Sequence, residues 1–185
     1  MMIYKQKSHG FSLVEAMIVV AIVSILATMA VPSYQDLIER NRLKQAIEAL
    51  KSDLQWMRTE TIKKSCNLRA SFTNGVAWSY QIYIPSDGAG TPCAIQQFYH
   101  GCIATVTAKA PDNCYFKTVD GSQYQGVTLD KDNNVTFSFR RGTAYAMGST
   151  LSSTNYKARV VVGNVGRVSI CNPDSLKRLP GYPDC

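Results

Sequence analysis

The segment from Phe11 to Val31 constrains the fold of this chain more than any other part of it. Its sequence, FSLVEAMIVVAIVSILATMAV, contains one ionisable side chain, that of Glu15. In a helix that rises ~1.5 Å per residue, the segment extends roughly 31 Å, which matches the hydrocarbon thickness of a bilayer. Beyond it, polar and apolar residues are mixed. The sequence therefore predicts a membrane-spanning helix followed by a domain outside the bilayer.

The segment before it is only ten residues long, is polar and basic, and ends in glycine. Residues 10–15, GFSLVE, resemble the G-F-x-x-x-E processing motif of type IV prepilins and type II secretion pseudopilins. The resemblance implies that a prepilin peptidase cuts after Gly10 and methylates the new amino terminus at Phe11. It also implies that Glu15 is the carboxylate used in filament assembly.

The chemistry of Glu15 agrees with this interpretation. A carboxylate within a bilayer costs a few kcal/mol by insertion scales, so it should be paired or neutralised. Removal of the leader creates a cationic amine at Phe11, and in a filament a neighbouring subunit can supply that amine. Pro32, which matches the family's proline near the end of the membrane segment, lacks an N–H and is expected to bend the helix.

Two other interpretations of the amino terminus account for less of the sequence. A secretory signal has an apolar core of about 7–15 residues and a small-residue cleavage site. The sequence Thr28-Met29-Ala30 could provide such a site, but the apolar segment is too long and contains Glu15. A plain membrane anchor explains the length of the segment but not the combination of Gly10, Phe11 and Glu15.

An amphipathic pattern follows Pro32. Apolar residues recur at spacings of 4, 3, 4 and 3, which places them on one helix face; they are Leu43, Ile47, Leu50, Leu54 and Met57. Charged residues are expected on the other faces, among them Arg40, Lys44, Lys51, Asp53 and Arg58. Because residues 33–64 contain no glycine or proline, one helix is predicted from Phe11 to about Lys64.

Residues after Cys66 have the pattern of a β-rich domain. Asn74-Gly75 is a hairpin turn signal, and alternating apolar residues predict half-buried strands on either side of later turns. The predicted strand positions are Trp78, Tyr80, Ile82 and Ile84, then Val135, Phe137 and Phe139, then 159–162 and 167–170. Residues 85–100 and 119–127 are predicted to be loops.

The predicted fold class is α+β. The resemblance implies the pilin fold, a long amino-terminal membrane-spanning helix whose distal half packs on an antiparallel sheet. The expected organisation is a cleaved leader (1–10), a transmembrane assembly segment (11–31), an amphipathic continuation (32–64) and a β-rich head (65–185).

Six cysteines follow the apolar segment, at positions 66, 93, 102, 114, 171 and 185. Neither a C-x-x-C pair nor a histidine at ligand spacing accompanies them, so zinc and dithiol sites lack their usual patterns. In an exported domain an even number of cysteines predicts three disulfides formed in an oxidising compartment. The candidates are Cys66, Cys93, Cys102, Cys114, Cys171 and Cys185, and the sequence leaves their pairing open.

The head also resembles the GspH/FimT family of minor pilins, which includes FimU-like and FimT-like subunits. The resemblance rests on the helix end at residues 57–64 leading to a cysteine-bearing strand, on residues 135–137 before Arg141-Gly142, and on residues 166–171. The family includes minor pilins that prime pilus assembly, type II secretion pseudopilins and DNA-binding subunits of natural transformation.

DNA-binding members carry a Gly-Arg-x-Arg motif in the late hairpin. Here Gly166 and Arg167 fit, but Ser169 replaces the second arginine. The net charge of +7 permits attraction to polyanions without demonstrating it. Possible phosphate contacts are Arg140, Arg141, Arg159, Arg167, Lys177 and Arg178; the alternative is that these side chains are solvated.

Enzymatic chemistry has little support in the sequence. No G-x-S-x-G, P-loop or dinucleotide motif is present. Residues 130–134, DKDNN, resemble the start of a calcium loop, but Val135 stands in place of its glycine. No enzymatic activity, cofactor or metal is therefore expected.

The sequence is interpreted as that of a minor pilin, with a DNA-binding subunit and a secretion pseudopilin as alternatives. The implied partners are other minor and major pilins, a prepilin peptidase and the inner-membrane assembly platform. The expected location is the bacterial inner membrane with the head in the periplasm, and then the pilus.

Overall fold

The computed structural model describes residues 11–84, 114–130, 134–173 and 177–185. The chain divides into two compact units, Met1–Ile38 and Glu39–Cys185. Residues 1–10 and the loop predicted at 85–100 lie outside the described residues.

Helix α1 comprises Leu13–Lys63, which confirms the long helix predicted from the absence of glycine and from the apolar periodicity. Glu15 lies in its first turn, where a negative charge complements the positive end of the helix dipole. Pro32 lies inside the helix. The bend expected there remains a prediction.

The distal half of α1 buries one face. All five residues of the predicted apolar stripe are at most 1% exposed, and Ala46 and Thr61 extend the same face. Asp53, which the sequence placed with the charged residues on the other faces of the helix, is only 8% exposed. Its carboxylate is tolerated in the interior because it has two hydrogen-bonding partners, which are described below.

The described part of the head contains two four-stranded antiparallel sheets, where the sequence predicted one. The first sheet has the order β3-β2-β1-β5, and the second has the order β4-β6-β7-β8. In chain order the strands are β1 (Leu68–Thr73), β2 (Ser79–Ile84), β3 (Cys114–Asp120), β4 (Thr128–Leu129), β5 (Val135–Phe137), β6 (Met147–Ser152), β7 (Lys157–Val162) and β8 (Val168–Cys171).

Several strand predictions are confirmed. β1 and β2 pair across the turn that contains Gly75, whose φ of 104° is one that glycine adopts readily. β7 and β8 pair with Val162 opposite Val168. Phe139, however, lies in a turn after β5 rather than in the strand.

Three strands of the head, β3, β4 and β6, were not predicted. β6 has the sequence MGSTLS, in which five of the six residues are buried. Because polar and apolar positions are buried alike, the strand lacks the alternation that would have identified it. Likewise, the predicted loop at 119–127 begins within β3 and continues as a short 3₁₀ turn, Gly121–Gln123.

Trp78 forms the aromatic centre of the head. Its ring is 1% exposed and lies nearly parallel to the rings of Tyr80 and Tyr124, with centroids 6.3 and 5.9 Å away. Its indole Nε1–H donates to the carbonyl of Val127 over 2.9 Å. A Cβ at Gly121 would lie 2.3 Å from the indole ring, so only glycine allows the chain to pass this closely.

Asp53 connects the helix to the first sheet. The hydroxyl of Tyr80 donates to Oδ2 of Asp53, and Lys117 Nζ donates to Oδ1, each over 2.6 Å. The pKa of Tyr80 is raised well above its usual value, first because burial disfavours the tyrosinate and second because of its hydrogen bond to Asp53.

This raised pKa predicts a loss of stability in alkali. Because the pKa of Tyr80 is higher in the folded than in the unfolded state, its contribution is complete below about pH 10 and declines above it. The free energy of unfolding should therefore fall above about pH 10. Tyr80→Phe should flatten that fall, although not abolish it, because burial also raises the pKa of Tyr182.

Urea unfolding of the detergent-solubilised chain between pH 8 and 11 measures this slope. Tyr145→Phe is the matched control, because Tyr145 is 89% exposed. Identical slopes for the two variants would contradict the role assigned to Tyr80.

At the beginning of the head unit, Glu39 holds the turn between β6 and β7. One carboxylate oxygen accepts from Ser153 Oγ and from the amide of Asn155, at 2.8 and 2.6 Å. The other oxygen accepts from Asn155 Nδ2 at 2.8 Å. These bonds fix the turn against the start of the packed part of α1.

Candidate functional site

The amino-terminal part of α1 exposes its apolar side chains. Phe11 is 82% exposed, and the large apolar residues that follow it up to Val31 are at least half exposed. By length and composition, α1 contains a stretch that could cross a membrane. An apolar helix surface of this size is expected to contact lipid or other helices.

Glu15 lies within this exposed apolar surface, four residues after Phe11. At ~1.5 Å per residue, the two positions are separated by roughly 6 Å along a helix axis. Gly10, the predicted cleavage residue, lies outside the described residues. Cleavage after Gly10, methylation of Phe11 and the assembly role of Glu15 therefore remain predictions.

The structure separates the six basic residues predicted as phosphate contacts into groups. Arg140 and Arg141 lie in the turn after β5, and Arg167 follows the turn between β7 and β8. These two turns are in contact, as described next. The remaining three residues, Arg159, Lys177 and Arg178, lie elsewhere on the head.

Arg58 connects the two turns to the end of α1. Its Nε donates to the carbonyl of Gly142, and its Nη2 donates to the carbonyl of Val165, each over 3.1 Å. Asn164 adds two bonds, since its backbone carbonyl accepts from the Ala144 amide and its Oδ1 accepts from the Ala146 amide. We call this surface the turn junction: Arg58, Ile62 and segments 138–146 and 163–167.

Glycine is required where the two turns meet. Gly166 has a φ of 76°, and a Cβ on it would lie 1.9 Å from the carbonyl oxygen of Gly142. Gly142 has a φ of 60°, and its Cβ would lie 2.7 Å from Ile62 Cδ1. Both glycines belong to segments named for the family resemblance, but the contact that joins them is between residues distant in the chain.

The other basic candidates have separate partners. Arg159 Nε donates to Thr150 Oγ1 over 3.0 Å. Arg178 pairs with Asp184 at 2.9 Å, and Lys177 lies 5.4 Å from the ring centroid of Tyr156. Each of these three side chains therefore has a partner within the head, and phosphate binding by the six residues remains a prediction.

The carboxy-terminal tail folds back on the head. Cys171 and Cys185 form a disulfide, and Cys66 is disulfide-bonded as well. Among the described residues no free cysteine is found, which agrees with the predicted oxidising compartment. Cys93 and Cys102 lie outside the described residues, and for Cys114 only the backbone, in β3, is described.

Asn172 organises the tail inside this disulfide. Its side chain accepts from the Leu179 amide at 3.0 Å and donates to the carbonyl of Tyr182 at 2.9 Å. The Tyr182 hydroxyl then donates to Glu48 on α1 over 2.6 Å. Leu179 is fully buried, so the tail is part of the core rather than a loose end.

Replacing both Cys171 and Cys185 by serine should destabilise this tail. A cross-link between residues 14 apart in sequence is expected to contribute about 3 kcal/mol, mainly by restricting the unfolded chain. The substitution should lower the free energy of unfolding by about 2–3 kcal/mol. It should also speed hydrogen exchange at the amides of Leu179 and Cys185. Unchanged exchange at both amides would show that the tail holds without the disulfide.

The described residues contain no group of three or more His, Cys, Asp or Glu side chains that could hold a metal ion. The expectation of no metal, like that of no cofactor or enzymatic activity, was drawn from the sequence.

The amino-terminal segment is similar to segments of known proteins. Residues 5–31 match the family described as the prokaryotic N-terminal methylation motif. The chain is 50% identical over 42 residues to fimbrial protein EcpC of Eikenella corrodens, covering 23% of this chain and 28% of that protein. It is 46% identical over 43 residues to the type IV major fimbrial protein FimA of Dichelobacter nodosus, covering 23% and 27%. The chain thus spans about a quarter of the length of these curated relatives.

Among solved structures, the chain is similar to the type IV minor pilin FimU of Pseudomonas aeruginosa. The identity is 18% and the TM-score 0.49, over 75% of this chain and 98% of that one.

Proposed function

We propose that this chain, whose amino-terminal segment is that of a type IV pilin, is a minor subunit that primes or caps a type IV pilus. The observation that carries the proposal is the GFSLVE motif at the start of an exposed apolar helix that continues into a disulfide-bonded α+β head. The resemblance of residues 57–64, 135–137 and 166–171 to minor pilins favours a minor over a major subunit.

The proposed mechanism is docking without catalysis. Before assembly, residues 11–31 hold the subunit in the inner membrane with its head in the periplasm. A prepilin peptidase removes residues 1–10, which creates the cationic amino terminus at Phe11. In the filament, Glu15 is neutralised by the amine of a neighbouring subunit, since an unpaired carboxylate in an apolar bundle is costly.

Contacts between heads then determine where the subunit lies in the filament. Other minor pilins, major pilins and the inner-membrane assembly platform are the proposed partners. A subunit used once per filament should be scarce in pili but needed to start them, which distinguishes priming from bulk assembly.

The priming role is tested by deleting the gene that encodes the chain and complementing it with the full-length gene. Cells lacking the chain should bear about tenfold fewer surface pili, and complemented cells should recover them. Sheared pili should contain the chain in a small proportion relative to the major subunit. Normal pilus numbers in the deletion strain would refute the priming role.

We do not propose DNA binding as a second function. Ser169 replaces the second arginine of the DNA-binding motif, and only Arg140, Arg141 and Arg167 of the six candidates lie at the turn junction. Titration of the full-length chain with duplex DNA at two salt concentrations tests this. Salt-sensitive binding that is lost in Arg167→Ala would restore DNA uptake as a function.

A further inference from the structure

The turn junction exposes apolar side chains that the packing of the head leaves uncovered. Tyr145 is 89% exposed, Val165 is 69% exposed and Ile62 is 49% exposed. Tyr145 lies between Ala144 and Ala146, whose amides both bond to Asn164, the residue before Val165. The two most exposed side chains therefore come from turns that are hydrogen-bonded to each other.

The backbone beneath these side chains is pre-organised. Arg58 bonds to both turns, and the contact of Gly166 with Gly142 leaves no room for a Cβ. The Gly142 amide donates to Ser138 and the Ser138 amide donates to Thr143, each over 2.8 Å, which closes the first turn. Binding of a partner here would cost little conformational entropy of this backbone. More of the free energy of the contacts with Tyr145 and Val165 would therefore appear as affinity.

All charged side chains of the turn junction are those of arginines. Arg140, Arg141 and Arg167 are exposed, and segments 138–146 and 163–167 contain no acidic residue and no lysine. Glu60, the nearby acidic residue on α1, is paired with Lys63 and Lys64. The surface therefore presents positive charge around apolar side chains, and its complement is apolar with carboxylates at its rim.

This composition favours a protein over a nucleic acid. Protein interfaces are enriched in tyrosine and arginine and depleted in lysine, with apolar side chains at the centre. Nucleic-acid interfaces are more polar and more strongly basic, because they neutralise many phosphates. Exposed aliphatic side chains such as Val165 and Ile62 have no role in contacting phosphates.

We propose that the turn junction is the docking surface for the head of another pilus subunit, which presents carboxylates around an apolar patch. Tyr145 and Val165 contact the apolar patch, and Arg140, Arg141 and Arg167 pair with the carboxylates. The inference rests on the proposed function, because it takes another filament subunit as the partner.

The test replaces Tyr145 with photoreactive p-benzoylphenylalanine in the full-length chain and irradiates piliated cells. We expect an adduct with a protein that has its own N-terminal methylation segment, cross-linked beside Asp or Glu residues. The double variant Arg140→Glu, Arg141→Glu should reduce this adduct about tenfold, the effect of about 1.4 kcal/mol. Changing the Asp or Glu residues beside the cross-link to lysine should restore it.

The control places the same photoreactive residue at Val76, which is 83% exposed and lies in the turn between β1 and β2. It should not give the adduct. Urea unfolding of the double variant checks that both substitutions leave the head folded. The proposal would be overturned by any of four results: no adduct, an adduct that nuclease removes, an adduct with a protein that lacks an N-terminal methylation segment, or an adduct that the double variant does not reduce.

The two proposals fail separately. Absence of the adduct from a chain that is present in sheared pili overturns the docking surface alone. A chain that is never processed and never found in pili overturns the proposed function.

Discussion

Glu15→Ala is expected to leave a processed, membrane-held protein that no longer supports piliation. Removing the carboxylate leaves the neighbouring subunit's amine without a partner in an apolar bundle, at a cost of a few kcal/mol. Because each 1.4 kcal/mol changes an equilibrium about tenfold, the number of surface pili should fall at least tenfold. Electron microscopy counts the pili, and immunoblots of membrane fractions report processing.

Ser12→Ala is the matched control, because it alters a neighbouring position of the same motif without removing a charge. It should leave pilus numbers unchanged. Glu15→Gln, which has nearly the same size but no charge, should fail as Glu15→Ala does. Normal pili with either Glu15 variant would remove the assembly role from this residue.

Trp78→Ala should cause a large loss of stability in the head. The variant removes the indole that stacks between Tyr80 and Tyr124 and leaves the Val127 carbonyl without its donor. Replacing a buried tryptophan by alanine costs about 3–5 kcal/mol, since it opens a cavity that the surroundings fill only in part. Urea unfolding of the detergent-solubilised chain, followed by circular dichroism, measures the loss.

The chain supplies its own control, because Trp56 is its other tryptophan and is 39% exposed. Trp56→Ala should lower the free energy of unfolding by less than about 1 kcal/mol, as expected for a surface position. Equal losses from the two substitutions would contradict the assignment of Trp78 to the centre of the head.

The sequence was sufficient to predict α1, because the patterns that indicate a helix are local in the chain. The apolar segment, the spacing of Leu43 to Met57 and the absence of helix breakers all act within a few turns of one element. The same is true of the β1–β2 and β7–β8 hairpins, which their turn residues indicate. The GFSLVE motif is equally local, and the comparisons match that same segment.

What the sequence could not predict depends on contacts between distant residues. Asp53 borders the apolar face of α1, three residues after Leu50, but only the pairing of β2 and β3 brings Tyr80 and Lys117 to its carboxylate. β6 has no alternation, because both of its faces are buried. The turn junction requires Arg58 to reach residues 84 and 107 positions later in the chain.

The amino-terminal segment of this chain is similar to that of other proteins, whereas the head contains the features described for this chain in particular. Residues 5–31 match the N-terminal methylation motif, and we propose that residues 11–31 anchor and assemble the subunit. The disulfide-tied tail and the turn junction belong to residues 39–185, which lie beyond the segment that matches the methylation motif. We therefore expect the specific role of the chain to depend on the head.

Peptide mass spectrometry of sheared, purified pili tests most directly whether the chain is a processed pilus subunit. We predict an amino-terminal peptide that begins at N-methylated Phe11, present in small amount beside the major subunit and missing from pili of cells that carry Glu15→Ala. Peptides that begin at Met1, or a chain found in membranes and never in pili, would contradict the claim.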